Sequence, residues 1–479
     1  MVPFVKPLEI VEHYASVFKD VFSERELSQL KKYLSGLLIS PNKTVEGINR
    51  LFVLDVQHQS TLNRFLTDSK FDVEALNRCR VKWLQECPEM AFKKGEDRKG
   101  VLILDDTLLT HYGPHFEKAG YLYDHVNNNY TWAHCLLNLH YSDDQTDYPI
   151  NFRMWAPAQA EVIEAALSAI DFRFKPERLA QKESSPSEWR RYLMQAYRNQ
   201  WSKPEEKRKG LADVHQSKIT LAKELLDNFI EEYPDTDLPI SFDSWYTCAE
   251  LCQHIDQKLK RAYVGTLKEN DCILIGANQT KVTCSAFAAE LVQKHRDAVA
   301  NGEKGFFEKT GIHYKGKKEH YWVYCDKHNI NKLGKQRLVI AFSQEDLSST
   351  PCFYISNRMH WRGGGILRIR RHRWPIEVYH EEGKAEGLDQ YQIRQFDAII
   401  KHVACVALSY SMLKRVQYDD TLLNKLSWKP TEVCTSLAFW RRVMTADALL
   451  ALFEWACGRK AEDNPRLLQA IAQVVQAQT

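Results

Sequence analysis

Arg368-Ile369-Arg370-Arg371-His372-Arg373-Trp374-Pro375-Ile376-Glu377-Val378-Tyr379-His380-Glu381-Glu382-Gly383-Lys384 is the stretch from which the rest of the chain is read. It opens as a short, strongly basic segment. Pro375 predicts a helix starting there, because proline is tolerated in the first helical turn. At roughly 100° per residue, Glu377 and Lys384 lie about 20° short of two full turns apart and share a face. Glu381 lies one turn beyond Glu377 on that face, and Arg373 sits at the helix entrance. One carboxylate is thus flanked by an arginine and a lysine, beside further arginines. Such a face could bring a metal-binding acid and phosphate-binding cations together; it could equally be a solvated face carrying Glu/Lys pairs.

The spacing of Arg373, Glu377 and Lys384 resembles the end of the Tyr-(2)-Arg-(3)-Glu-(6)-Lys signature of bacterial insertion-sequence transposases with a DDE active site. Trp374 and His380 are residues often seen in that group's motif, whereas Arg370 stands where the group has its tyrosine. The resemblance implies two aspartates upstream, each at the end or edge of a strand.

A chain of 479 residues is long enough for two to four units, each with a core. Its 44% hydrophobic and 27% charged residues are those of a soluble globular protein. A net charge of +3 is near neutral, so any affinity for nucleic acid must come from local patches. The twelve cysteines contain no Cys-x-x-Cys pair, Met1-Val2-Pro3-Phe4 opens no secretory leader, and no apolar run approaches about 18 residues. A cytoplasmic chain with buried free thiols and no membrane partner is expected. His111 and His115 have the spacing of a helical metal site, but Gly113-Pro114 between them reads as a turn.

Residues 1–95 read as helical, with a capping box at Ser23–Glu26 followed by Leu27, Leu30, Tyr33, Leu34 and Leu37 at helical spacing. Short amphipathic segments follow at Val45–Asn49, Ser60–Leu66 and Val73–Leu84, with Arg50, Arg64, Lys70, Arg78, Arg80 and Lys82 among them. They fit either a helix-turn-helix-like DNA-binding unit or a helical cap on the next domain. Lys93, Lys94, Arg98 and Lys99 mark a polar link. Val101-Leu102-Ile103-Leu104-Asp105-Asp106-Thr107 then reads as a buried strand that presents acids at its end. Asp105 aligns with the group's first aspartate; Asp106 stays open as the alternative, since a shift of one residue swaps faces. Tyr130–Leu139 and Pro149–Trp155 continue as strands, an antiparallel opening like that of the ribonuclease H-like fold. Lys118 and Gly120 resemble a Lys-x-Gly feature of the group. Residues 172–212 read as an exposed, charged insertion in which Trp189, Tyr192, Tyr197 and Trp201 alternate with arginines, facing DNA or packing locally.

An amphipathic helix over Ile219–Ile230 leads into a short strand ending at Asp243-Ser244-Trp245-Tyr246, which resembles the Asp-Ser-x-Tyr form of the second aspartate. By itself an aspartate there is more often a helix cap. Residues 262–357 read as strands with basic loops, a β-rich insertion of the kind many of these transposases carry before the glutamate. Gly363-Gly364-Gly365 reads as a flexible joint rather than a nucleotide-binding loop, for no Gly-Lys-Ser/Thr accompanies it. Phe396–Leu413 is an apolar helix expected to pack on the sheet, and residues 420–479 read as helical, ending in Leu467–Val475.

The expected fold is therefore α/β (α+β): a ribonuclease H-like core interrupted by a β-rich insertion, with helical N- and C-terminal regions. The expected divisions are a DNA-binding unit at 1–95, core at 96–261, insertion at 262–357, core at 358–419 and a helical region at 420–479. The resemblance implies a transposase that cuts at terminal inverted repeats and transfers strands into target DNA. Asp105, Asp243 and Glu377 would ligate two Mg²⁺ ions, or Mn²⁺ in their place. Arg373, Lys384, Arg370, Arg371, Arg368, Arg362 and Trp374 would contact the DNA. A homodimer on double-stranded DNA in the bacterial cytosol is the implied working form. A catalytically silent DNA-binding regulator and a metal-dependent nuclease without transposition are the competing expectations.

Overall fold

The computed structural model describes residues 2–55, 57–93, 100–113, 115–428 and 436–458. Most of the polar link at Lys94–Lys99 and the terminal Leu467–Val475 run lie outside them.

Five helices come first: α1 (Glu9–Ala15), α2 (Glu24–Ile39), α3 (Val45–Asn49), α4 (Gln59–Thr67) and α5 (Val73–Gln85). The capping box that starts α2 is formed, with Ser23 accepting from the Glu26 amide and Glu26 reaching back to Ser23. The apolar stripe of α2 (Leu30, Tyr33, Leu34, Leu37) is buried. It does not close a core of its own. These helices share one continuous apolar cluster with the sheet and with the long helix near the C-terminus. Arg80, counted among the basic residues of this region, faces inward: it is fully buried and donates to the Pro149 and Ile150 carbonyls, Ser411 and Asn77.

Next come β1 (Val101–Thr110), β2 (Gly120–Asp124), β3 (Asn129–Ser142) and β4 (Asp147–Trp155). The sequence reading lacked β2, whose five residues pair with the start of β3 to form a hairpin. Helices α6 (Ala160–Ser168), α7 (Pro176–Leu179), α8 (Gln181–Ser184) and α9 (Pro186–Trp201) follow. The 172–212 segment is therefore not a plain exposed loop. Trp189, Leu193 and Tyr197 of α9 are buried against Ile163 and Leu167 of α6 in a satellite core, so those aromatics serve local packing.

Helix α10 (Lys218–Glu232), β5 (Ile240–Phe242), α11 (Ala249–Gln253) and β6 (Tyr263–Leu267) complete the first half. In the sheet, β4, β3, β1, β5 and β6 lie side by side, with β3 antiparallel to both β4 and β1, and β1, β5 and β6 mutually parallel. An antiparallel opening followed by parallel strands with crossover helices is the ribonuclease H-like arrangement. Strands β7 (Cys272–Ile275), β8 (Thr280–Thr283), β9 (Glu308–Tyr314), β10 (Lys317–Ile330), β11 (Gly334–Phe342) and β12 (Cys352–Ser356), with α12 (Cys284–Ala300), form the inserted region. It continues the same sheet, because β12 pairs antiparallel with β6.

Two consecutive helices follow, α13 (Gly363–Arg371) and α14 (Trp374–Ala385). The glycine trio is thus the first turn of a helix rather than a flexible joint. A Cβ at Gly363 would meet Val323 at 2.6 Å and one at Gly364 would meet Thr310 at 3.0 Å, so the missing side chains let α13 lie against β10 and β9. Helix α15 (Phe396–Arg415) is the apolar helix expected. It is long and apolar enough to cross a membrane, yet 83% of its most apolar window is buried inside the protein. Helices α16 (Asp420–Lys425) and α17 (Leu437–Cys457) close the described chain. The eleven cysteines among the described residues are all free thiols.

Candidate active site

Strand parity places the acids. Val101 and Ile103 of β1 are buried with Ile366, Ile369 and Ile376 of α13 and α14, whereas Leu102 and Leu104 belong to the core on the other face. Asp105 therefore points to the α14 side and Asp106 away from it. At the head of α14, Arg373 donates to both Asp105 Oδ2 and Glu377 Oε1, a guanidinium clasp joining β1 to the helix. The clasp is largely enclosed, with the Arg373 side chain 12% exposed and that of Asp105 14%.

Parallel pairing sets Leu104 opposite Phe242, so the next residues, Asp105 within β1 and Asp243 just past the end of β5, are neighbours. Asp243 Oδ1 accepts from the Trp245 and Tyr246 amides at 2.9 and 3.2 Å, turning the chain toward α11. Burial pushes the Asp105 carboxyl up to about 7. Arg373 opposes this, while the negative charges of Asp243 and Asp106 add to it.

Asp106 sits in a different setting. It accepts from Lys218 Nζ at 2.7 Å, Tyr246 Oη at 2.6 Å and Cys135 Sγ at 3.2 Å. Burial disfavours its charge, but Lys218 and these hydrogen bonds outweigh that and hold it below the usual carboxylate range. Lys218 and Tyr246 were missed as site residues by the sequence reading. For Tyr246, the Asp243-Ser-Trp-Tyr motif was a usable signal; Lys218 is the first residue of α10 and carried none.

The remaining cations are distributed unevenly. Arg371 pairs with Glu319 at 3.1 Å and lies over the Tyr314 ring; Arg368 is 3.8 Å from Asp144. Arg370, in the place of the signature tyrosine, donates to Thr266 Oγ1 at 3.1 Å and packs over Tyr354. These three are engaged within the protein, whereas Arg362 is exposed and Lys384 half-buried. Trp374 is 52% exposed. It borders a cavity of about 320 Å³ that also touches Tyr321, Tyr354, Arg370, Arg373 and Glu377. Behind α14, the buried His380 ring lies 2.9 Å from the Asn138 side-chain nitrogen, and desolvation pushes its pKa down to about 3. His111, discounted as a metal ligand, instead bonds His134 and Tyr391 in a buried cluster, and His115 is exposed.

Residues 17–278, more than half of the chain, match the family described as DDE superfamily endonuclease. The chain belongs to that family. The matched span carries Asp105 and Asp243; Glu377 lies beyond its end. DDE superfamily endonucleases generally use divalent metal ions. In this chain the donor set offered by the three acids is carboxylate oxygen throughout, the chemistry preferred by hard divalent cations. Among the described residues, no three of His, Cys, Asp and Glu already form one ligand cluster. Two of the acids, Asp105 and Glu377, instead pair with the Arg373 guanidinium, a cation that lies between them. No curated protein matches the chain. Among solved structures, it is similar to a piggyBac transposase in a synaptic complex with hairpin DNA, determined by cryo-EM. The TM-score is 0.37 at 10% identity, covering 98% of this chain and 76% of that one.

Proposed function

We propose that the chain is a transposase that cleaves DNA strands at the terminal inverted repeats of its element and joins the freed ends to target DNA, working as a homodimer on the duplex. The observation that supports the reading is the Arg373 guanidinium joining Asp105 of β1 to Glu377 of α14, with Asp243 following the β5 residue that pairs beside Asp105. Asp105, Asp243 and Glu377 would hold two Mg²⁺ ions, with Mn²⁺ able to substitute. Bound there, the metal supplies Lewis-acid stabilisation and activation of oxygen for in-line displacement at phosphorus.

The protein's own contribution is orientation and charge. Asp105 and Asp243 project side by side from parallel strands whose register is set by the buried pairs before them, so their separation is a property of the sheet. The packing of Ile376 and Ile369 against Val101 and Ile103 docks α14, and with it Glu377, on the face of β1 that carries Asp105. Arg373 and Lys384 supply cations before and after Glu377, placed to hold phosphate oxygens of the strand being cut. Lys218 and Tyr246 hold Asp106 on the opposite face, which keeps β1 in the register that points Asp105 at α14.

The test is cleavage of labelled element ends with Mg²⁺, comparing wild type with Asp105→Ala, Asp243→Ala and Glu377→Ala. Each variant is expected to lose at least about a hundredfold in nicking while still binding the DNA, as expected when an interaction made in the transition state is removed. Retention of wild-type nicking by any one of them removes that residue from the site.

A further inference from the structure

The β2–β3 hairpin has no part in the chemistry above, yet it carries an unusual surface. Register pairs Tyr121 with Trp132 and Tyr123 with Tyr130, so the four rings stand on one face of the ribbon. Their centroids are 5.2 Å apart in the first pair and 5.3 Å in the second, and His125 packs on Tyr123 at 4.8 Å. Among the described residues, nothing covers most of this face: Tyr121 is 66% exposed, Tyr130 69% and Tyr123 40%. Large aromatics left in water side by side mark an interaction surface rather than a core.

The location indicates the partner. Residues 130, 132 and 138 of β3 share a face; Asn138 pairs with Asp105 across the strands and contacts His380 of α14. The aromatic face is therefore continuous with the face that carries Asp105 and α14. Asp124 is the one acid between Gly120 and Ala133, and its carboxylate is used within its own turn, accepting from Val126, Asn127 and the Asn127 side chain. Those bonds, the Asn127 side chain foremost, draw Asp124 below the usual carboxylate range, and the positive field of Lys384 adds to them. Lys384, two turns beyond Glu377, thus lies close to the hairpin tip. Rings with polar rims and a neighbouring lysine suit nucleobases and their phosphates.

We propose that the outer face of the β2–β3 hairpin is a stacking platform for unpaired nucleobases of the strand handled at the acidic centre, with Tyr121 and Tyr130 as its exposed rings. This rests on the reading of the chain as a DNA-processing enzyme. The test is fluorescence anisotropy of the full chain with a labelled oligothymidylate of about 20 nucleotides, against a duplex of the same length. Tyr121→Ala/Tyr130→Ala is expected to weaken oligothymidylate binding by about tenfold or more while duplex affinity stays within about twofold. Tyr121→Phe/Tyr130→Phe keeps the rings and should bind as wild type; Tyr121→Leu/Tyr130→Leu keeps apolar area without rings and should bind as weakly as the alanine pair. Wild-type affinity in the alanine pair overturns the proposal. So does wild-type affinity in the leucine pair, which would make the face a general apolar contact. Nicking by wild type is scored separately: its absence counts against the acidic centre, whereas loss of single-strand binding in the variants reports on the platform alone.

Discussion

Asp105 and Asp106 are chemically identical neighbours with opposite surroundings. One is clasped by Arg373 on the side of α14; the other is fixed by Lys218, Tyr246 and Cys135 on the far side. The difference comes from the two-residue period of a strand, which no inspection of two adjacent acids reveals. A buried carboxylate deprived of its cation costs far more than the pair contributes while intact. Lys218→Met is therefore expected to destabilise the fold by about 3 kcal/mol, measured from urea unfolding midpoints. Lys218→Met/Asp106→Asn should recover much of that loss, since the uncompensated charge is then gone. Equal instability of the single and double variants would contradict the pairing. Arg370 shows the limit of reading by motif: in the signature's tyrosine position stands a guanidinium that donates to Thr266 and packs on Tyr354.

At the scale of elements, α14 is held at both ends. Its start is tied to β1 by Arg373, and its C-terminal turns are tied to α17 by Arg441, which pairs with Glu382 and lies 3.9 Å from Glu386. Arg441→Ala is expected to lower stability by about 1–2 kcal/mol, read by thermal melting, because a mostly enclosed charge partner of Glu382 is lost. Glu386 itself is fully buried and receives a hydrogen bond from Ser409 Oγ at 2.5 Å. Burial pushes its carboxyl up to about 7 against the opposing pull of Ser409 and Lys43. Between the ordinary glutamate range and about 7 the folded chain therefore binds more protons than the unfolded one. This contribution to stability is present at the acid end and is lost as the pH rises through that window. Its size is a few kcal/mol at most, on a scale of about 1.4 kcal/mol per tenfold change in proton affinity. Glu386→Gln should flatten that part of the stability profile, measured by denaturant melts across the range; an unchanged slope would assign the dependence to other groups. The C-terminal helices, which carried no functional signal in the sequence, thus buttress the helix that bears Glu377.

At the scale of the molecule, the sheet runs without interruption from the hairpin through the core strands into the insertion, and one apolar cluster spans the N-terminal helices, the sheet and α15. Tyr33 of α2 donates to or accepts from His402 of α15 at 2.7 Å in the middle of that cluster. Removing residues 1–93 would expose the stripe of α15 that α2, α4 and α5 cover. The shortened chain is expected to be insoluble or to lack a cooperative unfolding transition, checked by near-ultraviolet circular dichroism and melting. A fragment that folds and melts cooperatively would show that the N-terminal helices are an independent unit.

Local chemistry was enough to locate most elements. The Ser23–Glu26 box, the apolar stripes of α2, α10 and α15, and the acid-ended strands at 101–107 and 240–243 were all legible, because caps and hydrophobic periods act within a few residues. What lay beyond that reach was decided by packing. The turn of α13 formed because Gly363 and Gly364 let a helix close on β10 and β9, and Trp189 and Tyr197 were drawn into a small core rather than left in solvent. Residue types and spacing determined which acids and cations this protein has to offer. Strand parity and helix docking, which depend on contacts between residues hundreds of positions apart, decided that Asp105 faces α14 with Arg373 between it and Glu377, and that a hairpin of tyrosines stands on that same face.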